Sequence, residues 1–199
     1  YKPRIDKNIL REHSEGLIGL SACLGGEISR ALYTNQYDKA KRLALEYESI
    51  LGKGNFFLEV QQHPNIEDQN IVTPKIVQLA RDTGIPLVAT QDAHYLRTGD
   101  AHAHDVLLAV QTQTHVDDQD RLSMKADDFS LLSPQHMEQK FLDLPEALAQ
   151  TASIADRCDV QIALDKIQLP EFPLPAGTDA ETYLRELADK GLERRYGES

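Results

Sequence analysis

Leu87-Val88-Ala89-Thr90-Gln91-Asp92-Ala93-His94 sets a short apolar run, introduced by Gly84 and Pro86, directly against a carboxylate and an imidazole. A run of this length bounded by turn residues predicts a buried strand that delivers two metal-ligand side-chain types at its C-terminal end. In extended chain, side chains two apart point the same way. Asp92 and His94 are then able to face one ion while Ala93 turns away. The competing reading is a strand end carrying two solvated polar residues.

Upstream, the same kind of unit recurs. Leu17-Ile18-Gly19-Leu20-Ser21-Ala22-Cys23 is an apolar run stopped by Gly25-Gly26 and predicts a strand ending in Cys23. Helices are expected over 27–34 and 38–51, the second with Ala40, Leu43, Ala44, Tyr47, Ile50 and Leu51 at helical spacing and Gly52 and Gly54 at its end. Phe56 to Gln61 reads as the next strand and runs into Gln62-His63-Pro64. A helix over 68–83, closed by Gly84, leads to the Leu87 run. Alternating strand and helix is the pattern of an α/β fold with parallel crossovers, which carries its chemistry at the C-terminal ends of the strands. Cys23, the Gln61 to His63 turn, and Asp92 with His94 all fall at such ends.

Downstream, residues 99–112 predict a helix with Ala103, Val106, Leu107 and Val110 on its apolar face, followed by a polar segment from about Thr112 to Asp128. Phe129 to Leu132 is expected as a short strand. Ser133 caps a helix with Pro134 at its first position, and Asp143-Leu144-Pro145 opens another through Ala155. Pro170, Pro173 and Pro175 make an extended connector. Thr178, with Glu181 as a capping box, begins a last helix striped by Tyr183, Leu184, Leu187 and Leu192. A domain boundary is expected between 150 and 175, dividing the chain into residues 1–150 and 151–199.

With 199 residues and 41% hydrophobic side chains, the chain is long enough for one sizeable domain or for one domain and the beginning of another. It has no tryptophan, so the core must rest on Leu, Ile, Val and Ala. No apolar run is long enough to span a membrane, and the expectation is a soluble cytoplasmic protein. A formal net charge of -11 counts against this surface as the main grip on nucleic acid, since phosphate binding draws on clustered Lys and Arg. Nucleic acid is then held elsewhere, or only a strand end reaches the site. The first residue is Tyr1 and the last residues form a charged helical pattern, so both ends are read as cuts in something longer.

Thiolate, carboxylate and imidazole together suit zinc, whereas carboxylate and imidazole alone accept manganese or iron. Cys23 also reads as a small buried hydrophobe, and a Cys23 to Cys158 bridge stays open. His102 and His104, two apart in the first turn of a helix, diverge by about 200° and are not a chelating pair. His104 is read as packing or as support behind the ligands, and His102 as exposed. His63 either lines the pocket or is a turn residue. Glu59, inside a strand, needs a partner and is either structural or an orienter of a ligand. No Ser/His/Asp arrangement, phosphate loop or glycosidase carboxylate pair stands out.

Gly16 to Ile28, Phe57-Leu-Glu-Val-Gln-Gln-His63, Pro86 to Leu96, Ala103-His-Asp-Val-Leu-Leu-Ala-Val-Gln-Thr112 and Leu169-Pro-Glu-Phe-Pro173 follow one another as blocks. They resemble the alpha-subunit family of bacterial DNA polymerase III, through its polymerase and histidinol phosphatase (PHP) domain and into the start of the polymerase core. The resemblance implies the C-terminal part of a distorted (β/α)7 barrel, then a mainly helical segment leading to the palm. It implies a metal cluster in which Cys23, Asp92 and His94 take part, with Glu59, His63 and His104 behind them. The family's first-strand HxH and intervening ligands have no counterpart here, so the site would be incomplete and the fragment alone inactive. The implied metal is Zn2+, with Mn2+ or Mg2+ as alternatives, and Mg2+ would serve polymerisation in a palm that the chain does not reach. Implied partners are DNA, a proofreading exonuclease and the sliding clamp. Three readings follow: a polymerase segment with a metal-dependent phosphoesterase or 3'-5' exonuclease site, the same segment as a non-catalytic scaffold, and a free-standing PHP phosphoesterase.

Overall fold

The computed structural model describes residues 4–164, 166–167 and 170–197. Tyr1, and Leu169 at the head of the last quoted block, lie outside the described residues. Two compact units divide between Asp159 and Val160.

The first unit is built on β1 (Gly19–Leu20), β2 (Phe56–Val60) and β3 (Leu87–Ala89), parallel and in that order. Gly19 pairs with Phe56, Leu58 with Leu87, and Val60 with Ala89. Phe56, Phe57, Leu58 and Val60 are all buried, as are Leu87, Val88 and Ala89. Continuous burial on both faces is what a central parallel strand requires, and it explains apolar runs without alternation. The connections are α2 (Glu27–Tyr33), α3 (Tyr37–Leu51) and α4 (Glu67–Thr83), so the expected α/β order is present. Val72, Ile76, Leu79 and Ala80 face inward from α4 at helical spacing, and Gly84 closes that helix in the left-handed conformation.

Short α1 (Lys7–Glu12) packs against α3. After β3 a 3-10 turn leads into α5 (Ala101–Thr112), followed by α6 (Pro134–Lys140) and α7 (Pro145–Arg157). Ser133 caps α6 through its side chain and Pro134 opens it. Helix α7 lies against β3, and Phe141 and Ala147 enter the same core as Leu58 and Ile76. Since α7 runs through position 150, it belongs wholly to the first unit.

Three expectations need correction. The Leu17 to Cys23 run gives only a two-residue strand, because Ala22 adopts φ 65 and ends the extended chain. Phe129 to Leu132 forms no strand beyond a single parallel bridge between Tyr95 and Ser130. Helix α5 is turned the other way: Asp105, Leu108 and Ala109 are buried, while Val106, Leu107 and Val110 are exposed. The reason is electrostatic. The polar segment after α5 supplies Arg121, Ser123 and Lys125, which draw the Asp105 carboxylate inward.

The second unit holds α8 (Ala180–Tyr196). Its cap is Asp179, not Thr178: the Asp179 carboxylate accepts from the Thr182 backbone N–H at 2.9 Å. A carboxylate also suits the positive end of the helix dipole. Within this unit the Phe172 and Tyr183 rings lie 6.0 Å apart.

Candidate functional site at the strand ends

Hydrogen bonds tie the C-terminal ends of the strands to one another. Ser21, just after β1, accepts the Glu59 backbone N–H on its hydroxyl at 2.8 Å. The Glu59 carboxylate accepts from the Thr90 hydroxyl at 2.5 Å and from the Gln61 amide at 3.1 Å. Glu59 therefore has the partners that a half-buried carboxylate needs, and it joins β2 to the end of β3.

Beyond Thr90 the chain leaves the sheet. Gln91 is buried, donates to the Asp128 carbonyl at 2.8 Å and accepts from Lys140 Nζ at 2.8 Å. Burial lowers the Lys140 pKa, against the pull of Asp127 and Asp128. Asp92 then takes φ 56, so Asp92 and His94 do not project from extended chain as the alternation argument requires. The two side chains nevertheless stay close: His94 Nδ1 lies 3.9 Å from Asp92 Oδ1 and 2.6 Å from the Asp92 carbonyl. A carbonyl only accepts, so this contact puts the proton on Nδ1 and leaves the Nε2 lone pair free. The His94 ring meets His104 at 5.7 Å and Phe129 at 5.8 Å, and His104 also packs beside Tyr95. His104 is half-buried and His102 exposed.

Cys23 is a free, exposed thiol in the turn between β1 and α2. That turn is tight, because a Cβ on Gly26 would meet the Ser21 carbonyl oxygen and stand 3.2 Å from that of Cys23. Among the described residues, no group of three or more His, Cys, Asp or Glu side chains is arranged to hold a metal ion. Asp92 and His94 form a two-donor arrangement, and these residues alone do not fit a complete metal centre.

His63 is the most unusual side chain here. It is 2% exposed, stacks on Phe129 at a ring separation of 4.3 Å, and neither ring nitrogen has a hydrogen-bond partner among the described residues. Asp127 Oδ1 stands 3.7 Å from Nδ1, beyond hydrogen-bond reach. Burial, and then Lys140, push the imidazole pKa below its ordinary value.

Reading the sequence missed the groups that pin the segment after α5. Arg121 grips Asp105, Asp127 accepts the Asn65 backbone N–H at 2.9 Å, and the Asp128 carbonyl takes the Gln91 amide. The available signal was Asp105 itself, in helical register with Leu108 and Ala109 on what proves to be the inner face.

A PHP domain model matches residues 1–63. The chain is 43% identical to the DNA polymerase III subunit alpha of Thermus aquaticus over 98% of its own length and 16% of that relative. The corresponding protein of Borreliella burgdorferi is 39% identical over 98% of this chain and 17% of its own length. That of Pseudomonas aeruginosa is 36% identical over 96% and 16%. The chain thus spans about a sixth of the length of the curated relatives it matches. No helix among the described residues is long and apolar enough to cross a membrane. Over nearly all of its length, the chain is homologous to one segment of the DNA polymerase III alpha subunits, with a PHP domain match in its first 63 residues.

Proposed function

We propose that the chain is part of a cytoplasmic replicative DNA polymerase, in which the first unit forms the C-terminal part of a (β/α)7 PHP barrel. Similarity to DNA polymerase III alpha subunits over 98% of the chain carries this reading. In the complete protein, Cys23, Asp92 and His94 contribute to a divalent metal centre whose other ligands come from outside this segment. Two features support that role: His94 keeps Nε2 free, and Cys23, Asp92 and His94 follow the ends of β1 and β3. The thiolate and imidazole favour Zn2+, with Mn2+ or Mg2+ as alternatives. The reaction class is phosphate-ester hydrolysis at a 3' strand end. A site that takes only a strand end needs no broad basic surface, in keeping with the net charge of -11. DNA, a proofreading exonuclease and the sliding clamp are the partners of the complete protein, and Mg2+ serves polymerisation in its palm.

Metal content per chain, compared between the full-length wild type and His94→Ala, tests the ligand role. A stoichiometric loss in the variant supports it, and equal metal in both proteins would sink it. Asp92→Asn should then abolish chelator-sensitive hydrolysis of a 3' end.

A second reading is a non-catalytic scaffold. What favours it is that the Glu59, Gln61 and Thr90 side chains at the strand ends are hydrogen-bonded to one another, a structural use of the polar groups there. Metal bound at full stoichiometry with no hydrolysis in the wild type would decide for it.

A further inference from the structure

Helix α5 has two apolar faces and buries only one. Leu108 and Ala109 go inward with Asp105. On the opposite side Ala103, Val106, Leu107 and Val110 repeat at i, i+3, i+4 and i+7, and all four are exposed, Leu107 to 62% and Val110 to 70%. Apolar side chains in that register are the anchor pattern by which a helix packs on a partner.

The outward orientation is fixed. Rolling the stripe into the core would carry the Asp105 carboxylate out of its contacts with Arg121, Lys125 and Ser123. Losing a buried, two-point contact with arginine is costly. The helix is thus locked by charge on its inner side while its more regular apolar stripe faces away from the core.

Area and chain length select what covers it. Four side chains, one of them alanine, offer far less than the roughly 800 Å2 per partner that a specific interface between separate proteins needs. A second copy of the chain, or a free protein, would dissociate readily from such a contact. A segment of the same polypeptide needs less area, because its tether holds it at an effective concentration of about millimolar. The chain spans about a sixth of the polymerase subunits it matches, so most of such a polypeptide lies outside residues 1–199.

Charge sets the chemistry of that segment. Asp117, Asp118 and Asp120 are exposed just beyond the C-terminal end of α5, which is also the negative end of the helix dipole. Helix α5 has no Lys or Arg, and Arg121 and Lys125 are committed to Asp105.

We infer that the outer face of α5 docks an amphipathic helix of the same polypeptide, from outside residues 1–199. The apolar stripe of that helix meets Val106, Leu107 and Val110, and its Lys or Arg residues meet the acidic end. The inference rests on the reading of this chain as one segment of a longer polymerase, and on nothing at the strand ends.

The test places the photo-crosslinking residue p-benzoylphenylalanine at position 107 of the full-length protein, purified alone and irradiated when dilute and when concentrated. The products are mapped by mass spectrometry, with the crosslinker at exposed position 39 on α3 as the control. The expected product is an intramolecular crosslink to a helix outside residues 1–199 that has Lys or Arg beside its apolar stripe. Its yield should exceed the control and be the same at both protein concentrations. Val110→Asp puts a charge into the contact and should lower the yield at least about threefold. Val110 lies outside the core, so amide exchange of β2 should be unchanged in that variant. Reversing the charge of Asp117 and Asp120 to Lys should lower the yield by a smaller factor that shrinks as salt is raised. A crosslinked dimer that grows with concentration, crosslinks confined to residues 1–199, capture of a segment without Lys or Arg, or an unchanged yield in Val110→Asp overturns the inference. Metal content and hydrolysis are measured separately, so failure of the catalytic reading leaves the crosslink standing, and the reverse.

Discussion

Arg121 grips Asp105 with both ends of its guanidinium, at 2.8 Å and 2.6 Å, and the two side chains are only 5% and 1% exposed. The same carboxylate takes Lys125 at 2.8 Å and the Ser123 hydroxyl at 2.8 Å. Planar two-point contact of this kind needs the rigid fork of arginine. One buried carboxylate thereby anchors a segment that is otherwise polar and irregular. The other end of that segment reaches the strand ends through Asp127 and Asp128.

Replacing Arg121 by Met should leave the Asp105 carboxylate buried with only Lys125 and Ser123 to meet it. Breaking one side of a buried pair is costly, and thermal unfolding should drop by roughly 5–10 °C. Arg121→Lys should recover only part of the loss. Asp105 titrates well below the ordinary carboxylate range, held there first by Arg121 and then by Lys125. This stability is fully present above the unfolded carboxylate pKa, about 4, and disappears as pH falls through the depressed folded value. Unfolding followed from pH 7 down to pH 3 should show a shallower acid loss in Arg121→Met than in the wild type.

His63 gives a second pH dependence, at higher pH. Its folded pKa lies below the ordinary value of 6.5, so the unfolded chain takes up a proton near pH 6.5 that the folded chain refuses. Stability is therefore complete above that pH and declines as pH falls through it toward the folded value. In His63→Phe this component should vanish. Identical denaturation midpoints for the two proteins at pH 7.5 and pH 5.5 would contradict the assignment.

Phe141 is 1% exposed and joins the segment after α6 to the core that holds Leu58 and Ile76. Phe141→Ala should cost about 3–5 kcal/mol in denaturant unfolding, the usual range for an aromatic removed from a packed core. A cost under about 1 kcal/mol would mean that this part of the core collapses around the cavity.

Gly26→Ala acts through crowding and not through backbone angles, since Gly26 has φ -66. A methyl group there runs into the Ser21 carbonyl and would open the turn that carries Cys23. Stability should fall by about 1–3 kcal/mol, typical of overpacking. The Glu59 amide, which donates to Ser21, should exchange faster with solvent.

Much of the scaffold was legible because its determinants are local. Val72, Ile76 and Leu79 repeat at helical spacing, Phe56 to Val60 is apolar without a break, and Ser133-Pro134 starts a helix by capping chemistry. What failed depended on partners far along the chain or on single backbone angles. The inner face of α5 was misread because Asp105 is satisfied by Arg121, sixteen residues on, in a stretch with no periodicity. Ala22 and Asp92 take left-handed conformations that nothing in their neighbours announces. At the strand ends, Asp92 and His94 were visible as residue types. Gln91, Asp127, Asp128 and Lys140 were not, since polar residues in loops gain meaning only from what they reach.

If Asp92 has the proposed ligand role, its left-handed backbone sets two demands on this position against each other. At φ 56 an L side chain is under steric strain that glycine escapes, so backbone energetics alone favour glycine there. Selection of variants for heat resistance would thus drift toward Asp92→Gly and discard the carboxylate, whereas selection for a working strand-end site would hold the aspartate in spite of its strain. A library at this position, sorted once for folding and once for activity in the full-length protein, would separate the two pressures into different amino acids.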